Sequence, residues 1–252
     1  DKIAQLLTNS VRPVLYGWGE TSVEAIKEGI KIAQITGSVI DNQSTICHGA
    51  TIQAFQNVGH PVMTLGAVKN RADVIIYVGT NPMDDHPRHL SRYTTFPEGF
   101  FRPNGREDRT IITIDPKYTN TAKVSDKWIS YDIGEDYAFF NTLRMILAGH
   151  EITDEEIAGV NIEILYELVE IMKNAEYGAL FFGLGLTQST TKQGNVDVLI
   201  QLIEDLNKYS KWSMLPMRGF FNVNGFNMAL TTETRYPYGV DYSRGYPRYM
   251  VG

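Results

Sequence analysis

The sequence predicts an α/β fold made of two αβα halves with mostly parallel sheets. Short apolar runs of strand length alternate with longer stretches of helical periodicity, which is typical of parallel strands connected by helices. One strand–turn–helix arrangement occurs near the beginning of the chain and again after residue 179, which predicts two like halves. With 252 residues, 43% of them hydrophobic, the chain is long enough to bury a large core.

The elements follow in order along the chain. The first strand, Pro13–Gly17, leads through a glycine turn into a helix from Val23 to about Ile35, as in a Rossmann-like unit. Further strands are predicted at Val74–Gly79, Thr110–Asp115 and Ala179–Gly183, then a helix over Val196–Leu206, with a surface loop over Phe96–Arg109. The acidic stretch Glu151–Glu156 suggests a boundary between a first region, residues 1–150, and a second, residues 151–252.

Composition excludes several classes of function. The net charge of -6 and the scattered basic residues give no basic stripe, so we expect no nucleic-acid partner. No apolar run approaches the roughly 20 residues of a membrane helix, and no export signal opens the chain, so we expect a cytoplasmic protein without membrane contact. The single cysteine, Cys47, excludes a disulfide framework and a cluster held by several local thiolates, but it leaves one thiolate ligand available.

Strand ends with glycine and polar residues are candidate phosphate sites, because backbone N–H groups there can point at an anion. The turns at Gly17–Gly19 and Gly183–Gly185 lack the third glycine of the dinucleotide fingerprint, so packing turns remain an alternative. In Gly79–Pro82, Asn81 can cap a helix and Pro82 suits its first turn. Asp115, followed by Pro116 and Lys117, ends a predicted strand. In nucleotide-binding folds an acid at this position contacts ribose hydroxyls, and the alternative is a strand that simply ends in a turn.

Cys47 lies in a polar loop, Asn42–Ala50, that leads into a helical pattern beginning near Thr51. A helix N-terminus lowers the pKa of a thiol and favours the thiolate, which suits a soft metal centre. The neighbouring His48 is able to carry a proton near neutral pH. An inert, packed cysteine is the alternative.

Arg218 lies in a segment, Leu215–Gly225, that joins a strand end to a loop rich in glycine and polar residues. Its planar donors suit a carboxylate or a phosphate, although a surface salt bridge would use the same group. His86 and His89 have no third ligand at a suitable spacing, so we expect no zinc site there.

Taken in this order, the segments resemble the formate dehydrogenase branch of the molybdopterin oxidoreductase superfamily. Tyr16–Thr21, Gly79–Tyr93 and the aromatic stretch Tyr236–Tyr249 resemble the formylmethanofuran dehydrogenase B subunits within that branch. The motifs that carry the wider resemblance are Ile46–Gly49, Gly79–Pro82, Asp115–Lys117 with Thr121-Ala122, Gly183–Gln188, and Met217–Gly219 with Asn224-Gly225.

The resemblance implies a catalytic subunit that reduces carbon dioxide to formate, reversibly, for formylmethanofuran synthesis in methanogenesis. It implies two molybdopterin guanine dinucleotides with one tungsten or molybdenum, partner subunits in a complex, and a low-potential iron–sulfur electron carrier such as ferredoxin. Cys47 would be the metal ligand, His48 the proton-handling neighbour and Arg218 the residue that orients the substrate. The expected cofactor contacts are Gly17, Gly19, Asn42, Gly79, Asn81, Pro82, Asp115, Pro116, Lys117, Gly183, Gly185, Thr187, Gln188, Asn224 and Gly225.

The chain starts at Asp1 without an initiator Met, and we expect it to be an internal fragment whose missing amino-terminal segment holds an iron–sulfur cluster. Three other functions stay open at this point. They are a stand-alone formate dehydrogenase, a non-catalytic scaffold subunit like that of a related formyltransferase/hydrolase complex, and a protein that binds a simple nicotinamide nucleotide.

Overall fold

Residues 1–250, which the computed structural model describes, form three sheets distributed over two units of the chain. The continuous unit comprises Gln53–Met217, and the discontinuous unit comprises Asp1–Ile52 together with the chain from Arg218 onward. The predicted boundary at Glu151–Glu156 lies inside the continuous unit, so the structure divides the chain elsewhere. The last two residues of the predicted second region, Val251 and Gly252, lie outside the described residues.

The secondary structure is as follows. The strands are β1 (Val14–Gly17), β2 (Val39–Asn42), β3 (Val74–Val78), β4 (Thr110–Ile114), β5 (Lys127–Ile129), β6 (Glu156–Ile157), β7 (Val160–Asn161), β8 (Tyr177–Phe182), β9 (Lys211–Pro216), β10 (Val240–Asp241) and β11 (Arg248–Tyr249). The α-helices are α1 (Lys2–Asn9), α2 (Val23–Thr36), α3 (Gly49–Val58), α4 (Leu65–Arg71), α5 (Pro82–Asp85), α6 (His89–Arg92), α7 (Asn120–Lys123), α8 (Asp136–Leu147), α9 (Ile162–Lys173), α10 (Leu184–Gln188), α11 (Gln193–Leu206) and α12 (Val223–Thr234). Two 3₁₀ helices span Gln43–Ile46 and Gly105–Asp108.

The continuous unit is built on a five-stranded parallel sheet in the order β5-β4-β3-β8-β9. All five residues of β3 are buried, and they alternate between two apolar cores, as both faces of a parallel sheet require. Val74, Ile76 and Val78 pack in the core that includes side chains of α8, α9 and α11, whereas Ile75 and Tyr77 pack in the other. The fold prediction of α/β architecture with mostly parallel sheets is confirmed.

The order of this sheet explains why residue 150 is not a boundary. The chain moves outward from β3 to β4 and β5, and then returns across β3 to β8 and β9. Because β8 pairs directly with β3, from Val74 opposite Gly178 to Val78 opposite Phe182, strands from both predicted regions share one hydrogen-bonded sheet. The reversal of strand order between β3 and β8 creates a switch point at their carboxyl ends.

The discontinuous unit contains a mixed sheet in the order β1-β2-β10-β11, with β1 and β2 parallel and β10 antiparallel to β2. Its apolar core includes Ile26 and Ile30 of α2, Phe226 and Leu230 of α12, and Ile40 of β2. The helix predicted from Val23 to about Ile35 is α2, which is capped by Ser22 and ends at Gly37 in the left-handed conformation. Within residues 1–250, every helix is too short or too polar to span a bilayer.

Candidate functional site

The turn that carries Cys47 belongs to the discontinuous unit and begins where β2 ends. Asn42 is fully buried, and its Oδ1 accepts a hydrogen bond from the backbone N–H of Ser44 at 3.0 Å. The Cys47 N–H donates to the Ser44 carbonyl at 3.1 Å, which closes the 3₁₀ turn. A Cβ on Gly49 would lie 2.7 Å from that same carbonyl oxygen, so α3 must begin with glycine. These contacts hold Cys47, half-exposed, two residues before the start of α3.

The electrostatics of the thiol differ from the expectation based on the helix N-terminus. Partial burial raises the pKa of the Cys47 thiol, because burial removes water from the charged thiolate. The positive charge of Arg218 lowers the pKa of Cys47, but by less than burial raises it. The predicted lowered pKa is therefore wrong, and Arg218 is the main group that favours the thiolate.

Arg218 is half-buried, and neutral amides hold its guanidinium group. Its Nη1 donates to Oδ1 of Asn224 at 2.7 Å and to Oδ1 of Asn227 at 3.0 Å. These amides carry no charge, so they fix the guanidinium group without cancelling its positive charge. Burial lowers the pKa of Arg218, and the Cys47 thiolate raises it. The structure thus brings Cys47 and Arg218, two of the three predicted catalytic residues, under the influence of each other's charge.

His48, the third predicted catalytic residue, is 1% exposed. Its Nδ1 lies 3.0 Å from the hydroxyl oxygen of Thr51, on the first turn of α3. This contact fixes the orientation of the imidazole ring and occupies one ring nitrogen.

A recess at the carboxyl end of β1 is the second feature of the discontinuous unit. Its volume is about 410 Å³, within the range of small-molecule sites, and it is lined by Tyr16, Trp18, Gly19, Glu20, Thr21 and Gln43. A Cβ on Gly19 would lie 2.7 Å from Oε1 of Gln43, so a larger residue there would push the Gln43 side chain aside. Gly17 has a φ of 126°, which also favours glycine. Of the predicted contacts, Gly19 thus lines a space of ligand size, and Gly17 lies between two of its lining residues, Tyr16 and Trp18.

In the continuous unit, the predicted glycines meet at the switch point between β3 and β8. The Gly185 N–H donates to the Gly79 carbonyl at 3.1 Å. A Cβ on Gly183 would lie 2.6 Å from Cβ of Thr80 and 2.7 Å from the Gly79 carbonyl oxygen. Close packing between the two turns, the alternative to phosphate binding, therefore explains why these positions are glycine. Their location is nevertheless where open α/β sheets bind ligands, outside the carboxyl ends of the strands.

Asn81 joins the loops that follow β3 and β4. Its Oδ1 accepts from the Thr121 N–H at 3.1 Å and from the Thr121 hydroxyl at 2.8 Å, while its Nδ2 donates to Asp84 at 2.6 Å. Its side chain does not cap α5, which corrects the predicted capping role, because both ends of the amide serve this bridge. Pro82 occupies the first turn of α5 as predicted.

Asp115 directly follows β4, the strand that pairs with β3 in the sheet. Its Oδ1 accepts from the Lys117 N–H at 2.8 Å, which makes Asp115–Lys117 a tight turn. Burial raises the pKa of Asp115. On the other side of the switch point, Thr187 is buried within α10, whereas Gln188 is exposed. Asn81, Asp115, Lys117 and Gln188 are thus the predicted polar side chains that are exposed or half-exposed at this edge.

The structure also reveals polar residues that the sequence did not single out. Asp136 is 1% exposed, and it accepts hydrogen bonds from the Tyr131 hydroxyl at 2.5 Å and from the Ser189 hydroxyl. It connects the loop after β5 to the end of α10. In the sequence, Asp136 is an acid shortly after Gly134 at the start of a helix. This pattern is typical of an ordinary helix N-terminus, so it does not mark a functional residue. In the discontinuous unit, Ser44 and Asn227 were missed because their contacts join distant segments.

Comparisons with known proteins place the whole chain among one group of relatives. Over 252 residues it is 50% identical to the B subunit of tungsten-containing formylmethanofuran dehydrogenase 2 of Methanocaldococcus jannaschii and 46% identical to that of Methanococcus maripaludis. The chain spans 58% of the length of each of these curated relatives. Over 217 residues it is 25% identical to the alpha subunit of F420-dependent formate dehydrogenase 1 of Methanococcus maripaludis, covering 74% of this chain and 31% of that subunit. No protein-family model matches the chain.

Solved structures support the fold. A chain of the formyltransferase/hydrolase complex from Methylorubrum extorquens, solved with methylofuran, aligns with a TM-score of 0.81 at 22% identity, covering 99% of this chain and 65% of that one. Acetylene hydratase from Pelobacter acetylenicus aligns with a TM-score of 0.62 at 11% identity, covering 82% of this chain and 32% of that one. At these identities the similarity concerns the fold alone.

Proposed function

The chain belongs to the family of formylmethanofuran dehydrogenase B subunits, and we propose that it forms the pterin-binding core of a catalytic subunit that reduces carbon dioxide to formate. Formate would then serve formylmethanofuran synthesis on a partner subunit. The observation that carries the proposal is the half-exposed Cys47 thiol within the field of the Arg218 guanidinium group. A thiol suits a soft metal, and a fixed guanidinium group suits a carboxylate.

The donor set fits a metal held mainly by an organic cofactor. Among residues 1–250, no three His, Cys, Asp or Glu side chains are grouped so that they could hold a metal ion. Cys47 offers one soft ligand, and a metal that has only this protein ligand takes its other donors from a cofactor or from water. Tungsten or molybdenum held by the sulfur atoms of pterin groups meets that condition. When bound, such a group supplies two-electron oxidation and reduction.

The chain's own residues would position the substrate and handle the proton. Arg218 would attract formate by charge and orient its two oxygens through planar N–H donors. The neutral amides of Asn224 and Asn227 keep the guanidinium group in place and leave its charge uncancelled. His48 would take or give the proton of the reaction, and its Nδ1 contact with Thr51 holds the imidazole ring in one orientation. Cys47 would hold the metal through Sγ.

Each unit offers its own set of contacts for the nucleotide part of a pterin cofactor. In the discontinuous unit the candidates are Gly19 at the recess with Gly17 before it, Asn42 at the start of the Cys47 turn, and Asn224 and Gly225 on α12. In the continuous unit the candidates follow three neighbouring strands: Gly79, Asn81, Pro82, Asp115, Pro116, Lys117, Gly183, Gly185, Thr187 and Gln188. Asp115 is the candidate for the ribose hydroxyls, because an acid at the end of the strand beside the switch-point strand has that role in dinucleotide folds.

A stand-alone formate dehydrogenase is less well supported than membership of the B-subunit family, because those relatives share 25% identity over 74% of the chain. A scaffold without metal keeps the same fold and is the remaining competitor. A scaffold role does not explain why the Cys47 thiol is half-exposed within the field of the Arg218 guanidinium group. Metal content distinguishes the scaffold from the enzyme.

Elemental and pterin analysis of the native subunit tests the proposal. We expect about one tungsten or molybdenum per subunit together with guanine-bearing pterin. Cys47→Ala should abolish carbon dioxide reduction, whereas Ile46→Ala, an exposed neighbour in the same turn, should retain it. Correctly matured native protein without metal and pterin would leave the scaffold as the better account.

A further inference from the structure

Asn227 joins three segments of the discontinuous unit through one amide group. It lies on α12 and is 7% exposed. Its Oδ1 accepts from Nη1 of Arg218 at 3.0 Å and from the Ser44 hydroxyl at 3.1 Å, and its Nδ2 donates to the Pro237 carbonyl at 2.8 Å. Because a carbonyl only accepts, the last contact identifies the nitrogen end of the amide. The oxygen therefore faces Arg218 and Ser44.

Ser44 belongs to the turn that carries Cys47. It is fully buried, its N–H is held by Asn42, and its carbonyl accepts from the Cys47 N–H. The oxygen of Asn227 is thus a common acceptor for this turn and for the guanidinium group. A common acceptor fixes the distance between its two donors, which an arginine side chain with many rotamers would not keep by itself.

We propose that Asn227 is a positioning residue that holds the Arg218 guanidinium group beside the Cys47 turn, facing a carboxylate that approaches the thiol. This inference rests on the proposed function, in which that carboxylate is formate. Asn224 also accepts from Nη1 of Arg218, but Asn224 is exposed, so water can replace its oxygen when the side chain is removed. The buried oxygen of Asn227 has no such replacement.

A pair of alkylating reagents that differ in charge measures this arrangement without metal. Iodoacetate is an anionic carboxylate, iodoacetamide is its neutral counterpart, and both react with the Cys47 thiolate. The ratio of their rates cancels the thiolate fraction and its nucleophilicity, and it reports the local charge that the carboxylate meets. The native subunit, purified from cells grown without tungsten or molybdenum, is the sample, and mass spectrometry of the Cys47 peptide follows each reaction.

Asn227→Ala should lower the iodoacetate to iodoacetamide ratio roughly fivefold, to nearly the value of Arg218→Gln, because one charge at contact distance in water has about this effect. Thr232→Ala, an exposed position on the same helix, should keep the native ratio. If Asn227→Ala does not fold, Asn227→Leu keeps the branched shape of the side chain, removes the acceptor and should give the same drop. A native ratio in the folded Asn227 variant, with a lowered ratio in Arg218→Gln, would overturn the proposal.

The loaded enzyme gives a second readout. Asn227→Ala should raise KM for formate about tenfold and leave kcat within about twofold, because it weakens substrate binding and not the reaction step. A fall in kcat with an unchanged KM would overturn the positioning role. Absence of metal from the native subunit would contradict the proposed function and leave the alkylation result valid. An unchanged rate ratio in the Asn227 variant, with normal metal content in the native subunit, would contradict only the role of Asn227.

Discussion

His89 lies in an aromatic cluster of the continuous unit and is 7% exposed. Its ring centroid is 4.8 Å from that of Phe181 and 6.2 Å from that of Tyr77. Burial lowers the pKa of His89 to about 4, and the neighbouring His86 contributes to the lowering. The imidazole is therefore neutral in the folded protein at neutral pH, and it acts as a packed aromatic ring.

This burial predicts a loss of stability in acid. Below the ordinary histidine pKa of about 6.5, the unfolded chain binds a proton that the folded chain does not bind until about pH 4. The free energy of unfolding should therefore fall by about 2 kcal/mol between about pH 8 and about pH 5 because of His89. His89→Phe should remove this part of the pH dependence in urea unfolding measured at both pH values. His150→Gln, at an exposed position, should keep it, and equal pH dependence in all three proteins would contradict the assignment.

The identity of the catalytic candidates could be predicted from the sequence, but their environment could not. Cys47, the only cysteine, stood out by its type and its polar loop. The residues that set its properties come from α12 and the segment before it, and no local pattern shows that they lie beside the Cys47 turn. The thiol pKa was mispredicted for the same reason, since partial burial depends on packing between distant segments.

At the scale of elements, the glycines at the switch point bring two loops into backbone contact. Gly183 packs against Thr80 and the Gly79 carbonyl so closely that any Cβ would meet atoms within 2.7 Å. These atoms belong to the backbone or to a Cβ, and they cannot move without shifting a strand end. The carboxyl ends of β3 and β8 therefore keep their spacing only with glycine at this position.

Gly183→Ala should lower the free energy of unfolding by about 1–3 kcal/mol, the usual range for overpacking. It should also reduce the pterin content of the purified subunit, because the switch-point loops must move apart. Gly66→Ala on α4 is the matched control, since its Cβ would have no neighbour nearer than 3.9 Å. That control should be neutral or gain up to about 1 kcal/mol from helix propensity. Equal stability of the two variants in urea unfolding would contradict the packing role.

Strands with strong apolar runs were predicted, and short polar ones were not. β1, β3, β4 and β8 occur within two residues of their predicted bounds. β3, β4 and β8 are largely buried and carry nearly continuous apolar runs, whereas β1, whose residues are exposed or half-buried, was predicted from a short apolar run before a glycine turn. β2 was missed because two of its four residues, Asp41 and Asn42, are polar. It is stabilised by pairing with β1 and with β10, a strand from the other end of the chain.

At the scale of the whole molecule, the chain order of the strands determines which segments fold as units. The repeated strand–turn–helix arrangement predicted two like halves in series, but the second copy inserts β8 beside β3. The sequence shows the repeat and cannot show which edge of the sheet it joins. Strand pairing between residues a hundred positions apart decides that, and it places Gln53–Met217 in one unit.

This division predicts how fragments behave. A fragment of residues 53–217 contains the complete five-stranded sheet and should unfold cooperatively, because both of its apolar cores are retained. A fragment of residues 151–252 lacks β3, the strand that pairs with β8, and should remain largely unfolded. Circular dichroism during thermal unfolding distinguishes these outcomes. A cooperative transition in the second fragment and none in the first would favour a boundary near residue 150.

The most direct test of the account asks whether Cys47 binds the metal. Selenocysteine introduced at Cys47 in the native, metal-loaded protein allows X-ray absorption at the selenium edge to report the neighbours of that one atom, provided that no other selenium is present. The account predicts a heavy-metal scatterer, tungsten or molybdenum, directly bonded to selenium, because a soft ligand at this position holds the metal. A spectrum with only the attached carbon around selenium, from protein that contains the metal, would contradict the assignment of Cys47 as the ligand.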